Sequence, residues 1–281
     1  MNRITTLVLL TLSLLLFRPP LAEGQKNQIW VGPTNTDANP RWATQDDFDG
    51  SLVFCRGYYE TVGKETGVNG WYSDYPGADF NFLVRLSEFT KTRTRRDNDG
   101  RPINVVVRLD SPLVFNCPVL YLSDVNTMEL KENEISNLRQ YFEKGGFVWV
   151  DDFWGSQGWN NWVYQIRKVL PYGYYYIFDI PTDHPLMNQA YRIEKIPQIS
   201  HMEFWYAKNG QTSERGEDSK EVHFRGIEDE KGRLVAVMTH NTDIADTWER
   251  EGFDKKGEYF LKFSPTGYAI GINIFIYALS H

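Results

Sequence analysis

The sequence predicts an α/β protein in which a mainly parallel central sheet is flanked by helices. From Phe48 onward, short β-branched or aromatic runs alternate with segments of helical periodicity, which is the pattern of strands joined by crossover helices. The clearest helix, over residues 127–146, ends at Gly145-Gly146 and leads at once into an apolar strand at 147–150. The sequence has no internal repeat and no long linker, so we expect one domain over residues 48–281.

The composition bounds the function classes. The 281 residues are 41% hydrophobic and 15% aromatic, which is typical of a folded protein and excludes a disordered chain. The formal charge of -7, with no lysine-rich face, argues against a nucleic-acid partner. The chain has only 2 cysteines, so it is not a small scaffold held together by disulfides.

The start of the chain predicts export. Residues 1–3 supply a positive charge, and the apolar run at 4–17 is shorter than the ~20 residues that span a bilayer as a helix. Ala22-Glu23-Gly24 fits the small-x-small rule for cleavage after Gly24. We therefore expect a signal peptide at 1–24, a periplasmic or extracellular protein, and no stable transmembrane span after cleavage. An uncleaved N-terminal anchor is the alternative.

The first half of the mature chain is expected to run as follows. Residues 25–47, with two prolines and two isolated tryptophans, predict an extended arm. The elements after the arm are an apolar strand at 52–58, a helix at 78–90 with aromatic and leucine residues at helical spacing, a β-branched strand at 103–109, a short buried strand at 119–122, and the helix and strand at 127–150 already described.

The second half is expected to continue the alternation. Its elements are a helix at 160–170 that Pro171 stops, a tyrosine-rich strand at 172–178, an insertion at 199–224 rich in Gly, Ser, Glu and Lys, a hairpin of strands at 223–227 and 234–238, and a final helix at 265–279. The apolar face of this final helix includes glycine and alanine, which permit close packing.

The two cysteines are expected to be buried rather than paired. Export permits a disulfide, and Cys55 and Cys117 are the one possible pair. Cys55 lies inside an apolar strand-like run and Cys117 precedes Pro118 at the start of another, so both resemble small buried hydrophobic residues. Neither has the glycine-flanked turn or the adjacent histidine of a nucleophile.

Two carboxylates mark one candidate site. Asp151 and Asp152 end the strand at 147–150, and ligands bind at the carboxyl ends of strands in open parallel sheets. Adjacent carboxylates there indicate a ligand site, a metal site or an acid/base pair. The alternative is structural, with one residue capping a helix and the other in a salt bridge. Of the two, Asp152 is expected to face the crevice.

A second polar cluster follows a later strand. His240, Asn241 and Asp243 suit a general base or a set of metal ligands, or alternatively an Asx-type turn. Asp152, His240 and Asp243 together would suit a divalent metal. Neither a His-x-x-x-His pair nor a cysteine cluster supports one, so no cofactor is predicted and a divalent metal remains possible.

Aromatic and basic residues complete the candidate ligand-binding set. Tyr72, Asp74 and Trp154 follow strands at the expected mouth of the crevice, where rings stack on sugars and carboxylates bind their hydroxyls. The alternative is that these rings fill the core. Arg225 is placed to grip an acidic ligand group, with an ordinary salt bridge as the alternative.

Three motifs resemble a known family. The segments at 71–79, 145–155 and 240–243 resemble an exported bacterial family of unknown function, related to the class I glutamine amidotransferase-like fold that includes trehalose-utilisation-type proteins. The resemblance implies a flavodoxin-like, three-layer sandwich. In such amidotransferases a cysteine nucleophile follows the strand that corresponds to 147–150. Here Asp151-Asp152 stands at that place, so cysteine-dependent glutamine hydrolysis is not expected.

These observations lead to one main hypothesis and two alternatives. The main hypothesis is an exported cell-envelope protein that binds a small molecule, a carbohydrate or an envelope protein at the crevice above Asp152 and His240. The first alternative is a hydrolase in which these two residues act, with or without a metal, on a carbohydrate or an envelope polymer. The second is a purely structural protein of a membrane complex.

Overall fold

The computed structural model describes residues 28–281 except 31, 38, 64 and 66, so the predicted signal peptide at 1–24 lies outside the described residues. The strands are β1 (Phe54–Tyr58), β2 (Glu60–Thr61), β3 (Asn104–Arg108), β4 (Val119–Ser123), β5 (Met128–Glu129), β6 (Phe147–Phe153), β7 (Tyr175–Asp179), β8 (His223–Asp229) and β9 (Leu234–His240). The α-helices are α1 (Gly77–Phe89), α2 (Glu132–Glu143), α3 (Gly155–Val169), α4 (Met202–Ala207), α5 (Asp246–Glu249) and α6 (Glu258–Ser280).

The central sheet has seven strands in the order β3-β1-β4-β6-β9-β8-β7. The first five are parallel, and β8 and β7 add an antiparallel edge. Numbered among themselves, the parallel strands follow the order 2-1-3-4-5 of flavodoxin-like sheets. The predicted α/β class with a mainly parallel central sheet is confirmed, as is the antiparallel hairpin of β8 and β9.

The sheet separates two hydrophobic cores, which gives the molecule three layers. One core lies between the sheet and α2 and α3, and includes Leu138 and Ile166. The other lies between the sheet and α1, α5 and α6, and includes Phe82, Trp248 and Phe275. None of the helices in the described part of the chain is both long and apolar enough to cross a bilayer.

Several element boundaries differ from those expected. The helix predicted at 127–146 begins only at Glu132, because β5 pairs with β2 in a separate two-stranded sheet before it. The helix predicted at 160–170 begins five residues earlier, directly after β6. The last helix begins at Glu258 and contains Pro265 in its exposed first half. Water can satisfy the carbonyl that a proline leaves unbonded on such a face.

The arm before the domain packs through its tryptophans. Trp30 lies 5.7 Å from the ring of Phe80 on α1, and Trp42 forms an isolated parallel bridge with Val106 of β3. The segment at 199–224, predicted as an insertion, lies between β7 and β8 except for its last two residues, which begin β8, and it includes α4. It contributes Ile199 and Met202 to the core on the α6 side of the sheet.

The expectation that the two cysteines do not pair is wrong. Cys55 and Cys117 form a disulfide with a Cα–Cα distance of 5.9 Å. Cys55 is paired with Leu120 of the neighbouring strand β4, so Cys117, three residues before it, comes within bonding distance. A pattern of buried apolar residues cannot distinguish this arrangement, because the adjacency of β1 and β4 is a property of the sheet. Neither cysteine has a free thiol.

Candidate functional site

Acidic and amide side chains gather where the parallel strands end. Asp124 follows β4, Asp152 is the second-last residue of β6 and Asn241 follows β9, with φ angles of 55°, 53° and 62°. Asp74, in the segment after β2, has a φ of 62°. Non-glycine residues adopt this left-handed conformation infrequently and concentrate at functional sites. These polar side chains lie at the edge of the sheet where the parallel strands β4, β6 and β9 end, which we call the carboxyl edge.

A buried arginine fixes the segment that carries Asp74. Arg56 of β1 is fully buried and forms an ion pair with Asp79 of α1, with Nη2–Oδ1 at 2.5 Å. Its Nη1 donates to the carbonyls of Trp71 and Ser73 at 3.0 and 2.8 Å. Because one guanidinium holds both the helix and the preceding segment, Asp74 has a defined position above the sheet.

Five carboxyl groups at this edge form an acidic cluster: Asp74, Asp152, Asp243, Asp246 and Glu249. Oxygens of Asp74, Asp152 and Asp243 lie within 4.8 Å of one another, and so do oxygens of Asp74, Asp246 and Glu249. Asp74 belongs to both groups. Closely spaced carboxylate oxygens are the ligands that hard divalent cations prefer, so the acidic cluster could hold such an ion.

Two donors orient Asp152 within the acidic cluster. The hydroxyl of Ser73 donates to Oδ2 at 2.8 Å, and the indole N–H of Trp154 donates to Oδ1 at 3.0 Å. Asp243 accepts the backbone N–H of Asp246 at 2.8 Å. These contacts fix the directions of the carboxyl groups while leaving them close to one another.

Burial governs the protonation of the acidic cluster. It raises the pKa values of Asp74, Asp152 and Asp243 well above the usual range, and neighbouring carboxylates raise them further. Burial also raises the pKa of Asp246 to about 6 and, with Asp246 beside it, that of Glu249 to about 7. Burial and mutual repulsion therefore favour protonation of these carboxyl groups or their pairing with a cation.

Asp151 faces the opposite way from Asp152. It accepts hydrogen bonds from the Thr239 hydroxyl at 2.5 Å, the Ala245 N–H at 3.0 Å and the Tyr121 hydroxyl at 3.2 Å. Burial raises its pKa to about 6. Its position joins β6 to the segment after β9, and its two oxygens are fully used there.

His240 and Arg225 form a separate group. The His240 ring stacks on Phe153 at 4.8 Å and its Nε2 lies 3.0 Å from the Gly155 carbonyl. The guanidinium carbon of Arg225 lies 4.1 Å from the centre of the Trp159 ring, and its Nη1 lies 3.5 Å from His240 Nδ1. Arg225 also forms an ion pair with Asp179. The contacts that the structure describes for His240 do not include Asp152 or Asp243. The structure thus brings the two aspartates together and gives the histidine other neighbours.

The remaining predicted site residues have mainly packing or capping contacts. Trp154 is 3% exposed, so its ring is not open to a sugar, although its N–H reaches Asp152. Tyr72 is half-buried, with its ring edge against Trp71 at 5.7 Å. Asn241 accepts the N–H of Gly155 at 2.7 Å and donates to the Glu221 carbonyl at 2.7 Å. It therefore caps the start of α3.

A polar groove lies beside the acidic cluster. It has a volume of about 600 Å³. Its lining residues are Val62, Asn126, Thr127, Ser156, Gln157, Asn160, Asn161 and Tyr164. The side chain of Asn126 bonds the backbone N–H and carbonyl of Trp154, both at 3.2 Å, and the Trp154 indole in turn donates to Asp152 of the acidic cluster. The polar groove thus offers side-chain amides, hydroxyls and one exposed tyrosine ring at the carboxyl edge.

Sequence reasoning missed several residues of this region. Asp246 and Glu249 were not identified, because a single helical turn with an Asp-x-x-Glu spacing is common on solvated helices. Arg56 was also missed, although a charged residue inside an apolar strand is a recognisable sign of a buried ion pair. For Asn160 and Tyr164 the sequence pattern indicates only a helix.

Residues 63–279 match the family described as Domain of unknown function (DUF4159). No curated protein matches the chain significantly.

Proposed function

The chain belongs to the DUF4159 family, a family of unknown function, and we propose that it is an exported cell-envelope protein. We propose further that it binds a carbohydrate ligand at the carboxyl edge of its sheet. The polar groove is the observation that carries this proposal. Its volume of about 600 Å³ suits a small oligosaccharide, within the usual range for ligand sites.

The lining of the polar groove matches the chemistry of sugars. Asn160 and Gln157 are exposed side-chain amides, which can both donate to and accept from hydroxyl groups. The Tyr164 ring is 64% exposed; the Lys168 ammonium lies 4.4 Å from its centre on one face, which leaves the other face for a sugar ring to stack on. Asn161 is held by bonds to the carbonyls of Val125 and Met128, both at 3.0 Å, so it supports the floor of the polar groove.

The position of the polar groove supports the proposal as well. It lies at the carboxyl edge, where ligands bind in open α/β sheets. Gly158 lets α3 approach its floor, since a Cβ at this position would lie 2.5 Å from the Asn126 side-chain oxygen.

Export is supported by two independent features. The first is the positively charged and then apolar start of the sequence. The second is the Cys55–Cys117 disulfide, since such bonds persist mainly outside the reducing cytoplasm.

Calorimetric titration of the purified protein with chitotetraose and with maltotetraose tests the proposal. We expect at least one of them to bind, and Asn160→Ala and Tyr164→Ala each to weaken binding by about tenfold or more, because each removes a hydrogen bond or a stacking face. Tyr174→Ala is the matched control, because Tyr174 is also an exposed tyrosine but lies outside the polar groove.

Two results would contradict the proposal. One is that neither sugar binds to the folded protein. The other is that the groove variants and the Tyr174→Ala control bind equally well.

A hydrolase is the second candidate, favoured by the proximity of Asp152 and Asp243. Because burial and neighbouring carboxylates raise the pKa values of both groups, one can retain the proton of the general acid while the other, ionised, serves as base or nucleophile in glycoside cleavage. Shorter sugars in the same titration mixtures would favour this candidate over simple binding.

A further inference from the structure

Three carboxyl groups of the acidic cluster are enclosed by protein. Asp74 is 2% exposed, and Asp246 and Glu249 are 0% exposed. One oxygen from each lies within 4.8 Å of the others. Two oxygens that both bind one ion at ~2.4 Å can be up to ~4.8 Å apart, so each pair of these groups is close enough to share a Ca²⁺.

Two oxygens in this group make no hydrogen bond to any described residue. Asp74 Oδ2 and Asp246 Oδ1 are both buried and unpartnered. The other oxygen of Asp246 is well satisfied, because it accepts the Met202 N–H at 2.8 Å and the Tyr259 hydroxyl at 2.7 Å. These donors orient the carboxyl group of Asp246, which lies close to two other acids and whose Oδ1 has no donor. Leaving a buried acceptor without a partner is unfavourable, so these oxygens point to a bound cation or to a proton shared between neighbouring acids such as Asp246 and Glu249.

The protein supplies little positive charge of its own here. Arg250 bonds Glu249 Oε2 at 2.5 Å, and its Nη1 lies 3.2 Å from Glu203 at the surface. Arg56 is nearby, but its guanidinium is engaged by Asp79. Two further carboxyl groups, those of Asp152 and Asp243, each have an oxygen within 4.8 Å of Asp74. The acidic groups therefore outnumber the cations that contact them.

The arm closes this group of acids from outside. Asn35 donates from Nδ2 to Glu249 Oε1 at 2.8 Å and accepts the Asp74 N–H at 2.8 Å. One amide thus joins the segment after β2 to α5 across the acids. An enclosed, all-carboxylate set suits Ca²⁺ better than Mg²⁺, because Mg²⁺ retains several waters and seldom occupies cages made only of protein.

We propose that Asp74, Asp246 and Glu249 bind a calcium ion beneath the N-terminal arm. This site is separate from the polar groove and does not depend on a sugar ligand. The ion binds the orphaned oxygens, joins the segment after β2 to α5, and so stabilises the carboxyl edge.

Elemental analysis and thermal unfolding of the purified protein test the site. After equilibration with CaCl₂ and removal of free ion, we expect about one calcium per chain and a melting temperature that falls when a chelator removes it. Asp246→Asn should abolish calcium retention. Glu134→Gln is the matched control: Glu134 is likewise a buried acid, but it lies in α2 on the other side of the sheet, and its replacement should leave retention unchanged.

The alternative is that the acids share protons. In that case the unaltered protein would retain no calcium, its melting temperature would not respond to calcium or chelator, and Asp246→Asn would be more stable than the parent at pH 7. This result overturns the proposal even if the variants fold poorly, because the unaltered protein decides it. Sugar binding by the polar groove is measured separately, so failure of one proposal is distinguishable from failure of the other.

Discussion

His240 shows how burial sets the chemistry of a single residue. His240 is 4% exposed, its ring lies beside those of Phe153 and Trp159, and burial lowers its pKa to about 4. Among the charged groups that face it, Arg225 and His223 of β8 lower the pKa further, and Asp218 raises it. His240 is therefore neutral at pH 7 and serves here as a packed aromatic ring with one fixed hydrogen bond.

This neutrality predicts a pH-dependent stability. The unfolded chain binds the His240 proton near pH 6.5 and the folded chain only near pH 4, so stability rises with pH between these values. Relative to His240→Gln, the parent should lose about 3 kcal/mol of unfolding free energy between pH 7 and pH 4. Urea unfolding of both proteins across this range measures the difference between their unfolding free energies. The buried acids titrate in both proteins, so their contribution cancels in this difference.

His281→Gln is the control for this measurement. His281 is an exposed residue directly after α6, so its replacement removes an imidazole without disturbing the buried group around His240. A parent and a His240→Gln variant whose stabilities run parallel from pH 7 to pH 4 would contradict the assignment of a neutral, buried histidine.

At the scale of the elements, the position of α6 depends on the close approach of its backbone at Gly271 to two aromatic rings. A Cβ on Gly271 would lie 2.5 Å from Trp248 Cζ2 and 2.7 Å from Phe82 Cε2. The helix therefore packs directly on rings from α5 and α1. Because α5 carries Asp246 and Glu249, the packing of α6 also positions part of the acidic cluster.

Gly271→Ala should destabilise the protein, although the same change stabilises an exposed helix by about 1 kcal/mol. The added methyl group overpacks the two rings, and we expect a loss of about 1–3 kcal/mol in urea unfolding. Ala269→Gly, at a partly exposed position of the same helix, should lower the unfolding free energy by at most about 1 kcal/mol. It shows how much of the effect of an Ala/Gly exchange in this helix comes from helix propensity alone. A stabilising effect of Gly271→Ala would show that the rings move aside freely.

For the whole molecule, the disulfide joins strands whose pairing is short. β1 pairs with β4 through only Cys55–Leu120 and Arg56–Tyr121, whereas five residue pairs join β1 to β3. The Cys55–Cys117 bond spans 62 residues of sequence and adds a covalent connection at this narrow point of the sheet. It thereby helps to hold Arg56, and through it the segment of Asp74.

We expect the exported protein to have the mass of residues 25–281 less two hydrogens. Replacing both cysteines by alanine should lower the unfolding free energy by about 2–4 kcal/mol, because a cross-link of this length restricts the unfolded chain. Intact-mass measurement and urea unfolding check these expectations. An unfolding midpoint that is the same with and without reductant would contradict the stabilising role of the disulfide, and an intact residue 1 would contradict cleavage.

Local patterns in the sequence determined the α/β class and the types and order of the main strands and helices, because periodicity and glycine or proline boundaries act over a few residues. They also placed Asp152 and Asp243 near one edge, because the ends of parallel strands share that edge. They did not indicate the short elements β2, β5, α4 and α5. Only the tertiary structure decided the disulfide, the separate environment of His240, and the meeting of Asp74 with Asp246 and Glu249. These contacts join residues far apart in the chain, and they depend on strand order and helix packing, which no local pattern specifies.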